Sequence, residues 1–482
     1  MNWWLNRIFF ATATFVMAAS AGLHACEVPT GYLGISTETE LLQLQVDGGE
    51  LKDLQLYFCN DIEVSADWPF QIARDLIIEG NQKSLIVHGM RARPLFWEIH
   101  NSLIQNLRLK YTSGISMTCS SLSECRSYTP IISLSVPYGL LAGHLFASRL
   151  SNILASGQII QRALISNASV AGVKFYFGGL VGLSYNSVLE KISSHVSIQV
   201  EHQRPRTGNV WGIFVGGVAG YVYNQTENIP LNEVTSHNNI DVSIKGSLDT
   251  TYVGGLSSFI FNSSSDAIQV LNSYSDGRMT IVRERAPNSL PPQIQGKIAG
   301  LTVRGDKVGA IQNSYSRRQI EVFNREGGLL SPVASSAYAI ARPFPENFEY
   351  NSNPQNTIHS YASSPSQLQK GVVMGFASQN RTDEDLRLPS TFENWDFEQT
   401  WNIPTAQFPK LNFENIWQRH LCPMDFNQDN QISVPDIFSY LHLWFLLDSA
   451  ADFNQDAVID SVDLFGFLSE FFGLNGQPCP EP

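Results

Sequence analysis

Five segments of the chain repeat one pattern: YGLLAGHLF from Tyr138, FGGLVGLSY from Phe177, VGGVAGYVY from Val215, VGGLSSFIF from Val253 and IAGLTV from Ile298. Their anchor residues Leu141, Leu180, Val218, Leu256 and Leu301 are spaced 39, 38, 38 and 45 apart. Between anchors lie short runs of alternating β-branched and aromatic residues broken by Gly, Asn and Ser, which favour strands and turns over helices. A single such unit cannot bury its apolar face. Stacked copies share a continuous core, so the repeat predicts a mainly β fold, a right-handed parallel β-helix or similar solenoid. A period near 38 suits two coils of about 19 residues each. The glycine pair before the anchor lets one coil turn tightly against its neighbour. Asn272 with Ser273, and Asn313 with Ser314, are placed to stack as ladders at recurrent turns. The segment from Leu76 to Tyr111 has the same texture, which starts the repeat by about Ile72.

A second repetition closes the sequence. DFNQDNQISVPDIFSYL starts at Asp425 and DFNQDAVIDSVDLFGFL at Asp452. Asp425, Asn427, Asp429, Ser433 and Asp436 occupy positions 1, 3, 5, 9 and 12 of a twelve-residue window, and Asp452, Asn454, Asp456, Asp460 and Asp463 repeat it. Oxygen ligands at alternate positions wrap a hard cation, with the backbone carbonyl of Gln431 or Val458 at position 7, as in an EF-hand calcium loop. Two bound Ca²⁺ are therefore expected. Ile432 and Ile459 hold the apolar position 8 that pairs such loops. Position 6, ordinarily Gly, is Asn430 and Ala457, which makes the first loop geometrically easier, while Asp460 gives the second more charge. Ile437, Phe438, Leu441 and Phe445, and then Leu464, Phe465, Leu468 and Phe472, follow helical spacing and are expected to bury against one another. From Leu421 to Pro482 there are ten Asp and Glu and no Lys or Arg, so crowded carboxylates oppose folding until a cation offsets them.

These loops, with Asp at position 12, one helix after each, Cys422-Pro before the first and Cys479-Pro after the second helix, resemble the dockerin-type modules of exported bacterial proteins, particularly planctomycete ones. The resemblance implies calcium-dependent folding and docking or surface anchoring through residues 421–482. Cellulosomal dockerins read their partner through a hydroxyl pair at loop positions 10 and 11. Here these are Val434-Pro435 and Ser461-Val462, a departure from that pattern. The glycine-containing units resemble the GLUG repeat of large exported surface proteins, with FGGLVG the clearest copy. FENWDFEQTWNIPTAQFPKL, ending at Leu411, resembles the segment that finishes such arrays. That likeness implies adhesion or display.

The first 25 residues place Arg7 ahead of an apolar run from Ile8 to Ala19 and then small residues, the pattern of a secretory signal peptide cut after Ala21 or Ala25. That run is too short for a comfortable span of about 20 residues, so no transmembrane segment is expected after signal removal. Export to the cell surface or beyond suits paired cysteines: Cys26 with Cys59, Cys119 with Cys125, and Cys422 with Cys479. Lipid attachment at Cys26 is the rival, and it would leave Cys59 without a partner.

The expected organisation is a signal peptide at 1–25, a solenoid over 26–411 (clearest over 138–325), a linker at 412–420 and the calcium module at 421–482. Its leading function is non-catalytic: adhesion, or contact with a ligand or matrix, with a protein docking or surface partner for the C-terminal module and a polysaccharide as the solenoid's ligand. The alternative is a carbohydrate-active enzyme, a polysaccharide lyase or glycoside hydrolase, on the same scaffold. No set of carboxylates on adjacent coils is readable, and the NTD, DD and RIK patterns of polygalacturonases are absent. His88, His100, His144, His195, His237 and His359 show no metal spacing and read as ordinary polar residues. SHNNID from Ser236 reads as a polar turn. Arg317-Arg318 reads as a solvated strand edge in preference to a site for an acidic sugar. Trp395 and Trp401 read as apolar capping. A net charge of -13 excludes nucleic acid as partner.

Overall fold

The computed structural model describes residues 26–44, 49–65, 68–119, 135–164, 174–203, 212–226, 229–245, 250–262, 268–284, 297–304 and 310–326, with shorter stretches at 329–332, 337–338, 341–342, 357–358, 361–363, 379–381, 384–392, 394–403, 407–414, 417, 424–426, 432–446, 451, 453 and 458–474. The expected signal peptide lies outside them.

The chain is mainly β, and among the described residues its strands are almost all parallel, in sheets of 21, 9 and 6 strands beside one two-stranded antiparallel pair. Repeat length sets the register. Phe175 pairs with Ile213 and Val215 with Val253, so each strand lies beside its counterpart one repeat later. The five anchors are stacked directly: Leu141, Leu180, Val218 and Leu256 each donate a backbone N–H to the carbonyl of the next anchor, at 2.8 to 3.0 Å. All five are buried. Each repeat therefore adds to three parallel ladders with its counterpart one repeat later as the direct neighbour, and the expectation of two short coils per repeat is overturned. A repeat of about 38 residues accommodates the third ladder, which begins at Ser135–Tyr138. Before it, paired strands lie closer in sequence: Leu33 pairs with Leu56, Leu56 with Ile78 and Ile78 with Ile104. Parallel pairing thus begins at Leu33–Ile35, well before Ile72.

The glycines act where two ladders meet. At Gly179, Gly217 and Gly255 a Cβ would clash with the carbonyls of Gly217, Gly255 and Gly300, so any larger residue would push successive repeats apart. The other corners use left-handed backbone. Asn106, Asn152, Lys191, Glu233, Asn272 and Asn313 have φ between 47° and 53°. Asn suits that conformation, Lys and Glu less so. After the last two come the expected serine ladders: Val234 N–H donates to Ser273 Oγ at 3.0 Å and Ser273 N–H to Ser314 Oγ at 3.1 Å. Ser102, Ser148 and Ser187 form a second such ladder. Inside runs a continuous core of Leu, Ile, Val and Phe from Ile35 to Val322.

Cys26 and Cys59 are joined in a disulfide with Cα atoms 5.5 Å apart, tying the chain ahead of the first strand to the end of Gln55–Phe58. Cys26 is thereby committed to Cys59. In the chain-entropy picture such a loop stabilises by roughly 3–4 kcal/mol. Cys125, Cys422 and Cys479 lie outside the described residues, as does the side chain of Cys119, so those two pairings do too. Among the described residues no helix is long and apolar enough to cross a membrane.

Candidate functional site

The C-terminal duplication forms two helices, Val434–Phe445 and Ser461–Leu474. Each starts at the end of a loop because a carboxylate caps it. Asp436 Oδ2 accepts the Ser433 N–H at 2.8 Å, and Asp463 Oδ2 accepts the Asp460 N–H at 2.9 Å while its Oδ1 accepts from Phe453 N at 2.8 Å. These caps turn one face inward: Tyr440 stacks on Phe467 at 4.1 Å, with Phe426, Phe453 and Phe471 around them. Ile432 is buried there and Ile459 half-buried. The eight-residue core predicted from helical spacing is only partly right. Ile437, Leu464 and Leu468 pack inward, but Phe438, Phe445, Phe465 and Phe472 are 68 to 74% exposed. The buried stripe follows the capping carboxylate at i+4, and these four phenylalanines fall off it. They sit at equivalent positions of the two copies.

Asp425, Asp436 and Asp463 are almost completely buried, in a module without Lys or Arg. Three buried carboxyl groups are the donor chemistry that a hard cation takes. Ser433, Val458 and Asp460 are the other described candidates; the Val458 side chain is exposed, which leaves its carbonyl as its donor, and Asp460 Oδ1 accepts from Val462 N at 2.7 Å. Asn427, Asp429, Gln431, Asp452, Asn454 and Asp456 lie outside the described residues. Among the described residues no three His, Cys, Asp or Glu side chains converge on a point that could hold a metal.

A second cluster escaped the sequence reading. On the outer face of the largest sheet, Ser193, Thr235, Tyr274 and Tyr315 fall in one column across successive circuits, and His237 lies beside Asp276 in the next. Residues from Leu386 to Trp417 cross this face as a strap, whose Leu386, Phe392, Trp395, Trp401, Leu411, Phe413 and Trp417 pack with Leu154, Tyr274 and Tyr315. Trp395 and Trp401 are thus buried packing residues, as expected of caps, although they cover a sheet face. From the strap Glu414 reaches in: His237 Nε2 lies 2.7 Å from its Oε1, and Tyr274 OH donates to its Oε2 at 2.8 Å. His237 Nδ1 is 3.0 Å from Asp276 Oδ1.

Burial works against a charge on His237, but Asp276 and Glu414 outweigh it and push the imidazole up to about 10. Burial likewise opposes ionisation of both acids; the imidazolium nevertheless holds Asp276 down to about 2 and Glu414 below the usual carboxylate range. His195, stacked on His237 at 4.7 Å, is driven down to about 3 by burial and by that neighbouring charge. His195 and His237 are therefore not ordinary polar residues. The signal that could have found them is the polar run Thr235, Ser236, His237 and Asn238 on a strand whose neighbours alternate regularly. The partner Glu414, 177 residues away, carries no sequence signal.

The arginine pair also departs from expectation. Arg318 is 2% exposed, its guanidinium bonded to Asn238 O, Ser236 Oγ and Asn238 Oδ1, and burial draws it down to about 10. Arg317 lies over the Phe408 ring, 3.3 Å from its centroid. Neither is a solvated edge or an open sugar site, and the SHNNID turn is the cradle of Arg318. No protein-family profile, no characterised protein and no solved structure matches this chain.

Proposed function

We propose that this is an exported, non-catalytic surface protein in which a right-handed parallel β-helix presents a long face to a ligand or matrix, and a calcium-loaded, dockerin-like module docks or anchors it. The β-helix reading rests on parallel ladders that advance one repeat per circuit, together with the strong right-handed preference of parallel crossovers. The module carries the functional reading. Three buried aspartates in a tail without Lys or Arg favour a bound cation, and the paired exposed phenylalanines Phe438, Phe445, Phe465 and Phe472 offer an apolar surface to a partner. Two bound Ca²⁺ would offset four charges and couple binding to folding. The chelator EGTA is expected to melt this module in the intact protein and leave the β domain folded; a far-ultraviolet circular dichroism spectrum unchanged by chelation contradicts calcium-coupled folding.

The enzyme reading gains least from the outer-face cluster. Asp276 and Glu414 are the carboxylates that meet there, but the ring of His237 lies between them and the strap lies over them, which leaves no space for a glycosidic bond and an attacking water. Release of reducing or unsaturated ends from acidic polysaccharides by the purified protein would reverse that preference.

A further inference from the structure

Glu414 is bound the way a protein binds a foreign carboxylate. Its Oε1 faces His237 Nε2 at 2.7 Å, Thr235 Oγ1 at 3.1 Å and Ser193 Oγ at 3.4 Å. Its Oε2 accepts from Tyr274 OH at 2.8 Å and from Leu411 N, on the strap itself, at 3.1 Å. Four of the five donors belong to the sheet and come from three successive circuits, brought together by the parallel register. One is a histidine whose far nitrogen is fixed by Asp276. The acceptor comes from a distant part of the chain and contributes only its two oxygens. Donor number, convergence and positive charge all match carboxylate recognition.

We propose that Ser193, Thr235, His237 and Tyr274 form a carboxylate-binding pocket on the outer face of the sheet, occupied in cis by Glu414. The class of ligand it takes is a small monocarboxylate, or a carboxylate projecting from an acidic chain. The chain's own glutamate is the resident occupant because it is tethered, and tethering makes its effective concentration far higher than that of a free competitor. An external carboxylate therefore enters only when Glu414 is withdrawn.

Side-chain truncation with size-matched ligands tests this. Glu414→Ala keeps Cβ and removes a fragment the size of acetate; Glu414→Gly removes one the size of propionate. Thermal unfolding of the full-length variants is followed by fluorescence, since Trp395, Trp401 and Trp417 of the strap are buried beside the pocket. Acetate is expected to raise the midpoint of Glu414→Ala saturably, and propionate that of Glu414→Gly. At ten times its dissociation constant each ligand shifts the folding equilibrium about elevenfold. Wild type and Glu414→Gln, whose pockets stay filled, are expected not to respond, and chloride at equal ionic strength is expected not to substitute. If a truncated variant does not fold unaided, acetate or propionate present during refolding is expected to recover it in the same size-matched, saturable manner. Absence of a response in both formats, or an equal response to chloride or in wild type, overturns the pocket.

Discussion

Replacing Glu414 by glutamine keeps the shape of the side chain and removes its charge, which isolates the electrostatic part of the strap's attachment. In the wild type, a rise of His237 from about 6.5 unfolded to about 10 folded corresponds to ~4–5 kcal/mol of linked stability. The imidazole is 18% exposed, so some solvent screening is expected and ~2–4 kcal/mol is the working figure. The sign follows from the direction. His237 is raised, so its contribution is complete below pH 6.5 and declines as pH climbs towards 10. Asp276 and Glu414 are lowered, so theirs is present above about pH 4 and is lost in strong acid. His195, lowered to about 3, favours the folded state at higher pH and subtracts from it as pH falls below 6.5. Strap stability should therefore peak near pH 6 and fall on the alkaline side. Denaturant titration read by tryptophan fluorescence at pH 6, 7.5 and 9 measures this. In Glu414→Gln, which leaves Asp276 in place, the pH 6 value is expected to drop by only part of that figure, ~1–2 kcal/mol, and the slope between pH 6 and 9 to shrink to what Asp276 alone supports. A variant as stable as wild type at pH 6, or with an undiminished alkaline slope, refutes the charge-latched attachment.

Other consequences are as direct. Gly217→Ala places a methyl against the Gly255 carbonyl and the Ser236 hydroxyl at a stacked corner, so a loss of ~2 kcal/mol or more is expected by thermal unfolding. Cys59→Ser removes the bridge to Cys26 and is expected to cost ~3 kcal/mol, with amide exchange rising first in Leu33–Ile35 and its partner strand. Arg318→Met removes the donor to the Asn238 and Gly255 carbonyls and to Ser236 Oγ in the interior; a destabilisation of ~3 kcal/mol is expected, and a neutral result denies Arg318 a structural part.

The sequence made some of this legible and concealed the rest for physical reasons. The anchors from Leu141 to Leu301 could be read because each must occupy the same buried corner, and an aliphatic side chain, Leu or Val, fills it every time. The length of a circuit could not, since a period of 38 is compatible with one circuit of three ladders or two of fewer, and apolar alternation is the same in both. Left-handed corners were visible where Asn fills them, at Asn272 and Asn313, and invisible at Lys191 and Glu233, which adopt the same conformation without a compositional mark. In the tail, spacing singled out Asp425, Asp436 and Asp463, which are buried. It misassigned Phe438 and Phe465, because helical periodicity shows that a face is apolar and says nothing of whether the core or a partner covers it. The outer-face cluster depends on a contact between residues 237 and 414, and no local pattern encodes a pairing across that separation.

The most direct test is the calcium stoichiometry of the full-length protein by isothermal titration calorimetry, with Asp425→Ala/Asp452→Ala as control. Two ions per wild-type chain, and none bound at the tail of the double variant, are the predicted result. A wild type that takes up no calcium, or a double variant that still holds both ions, contradicts the role assigned to the paired loops.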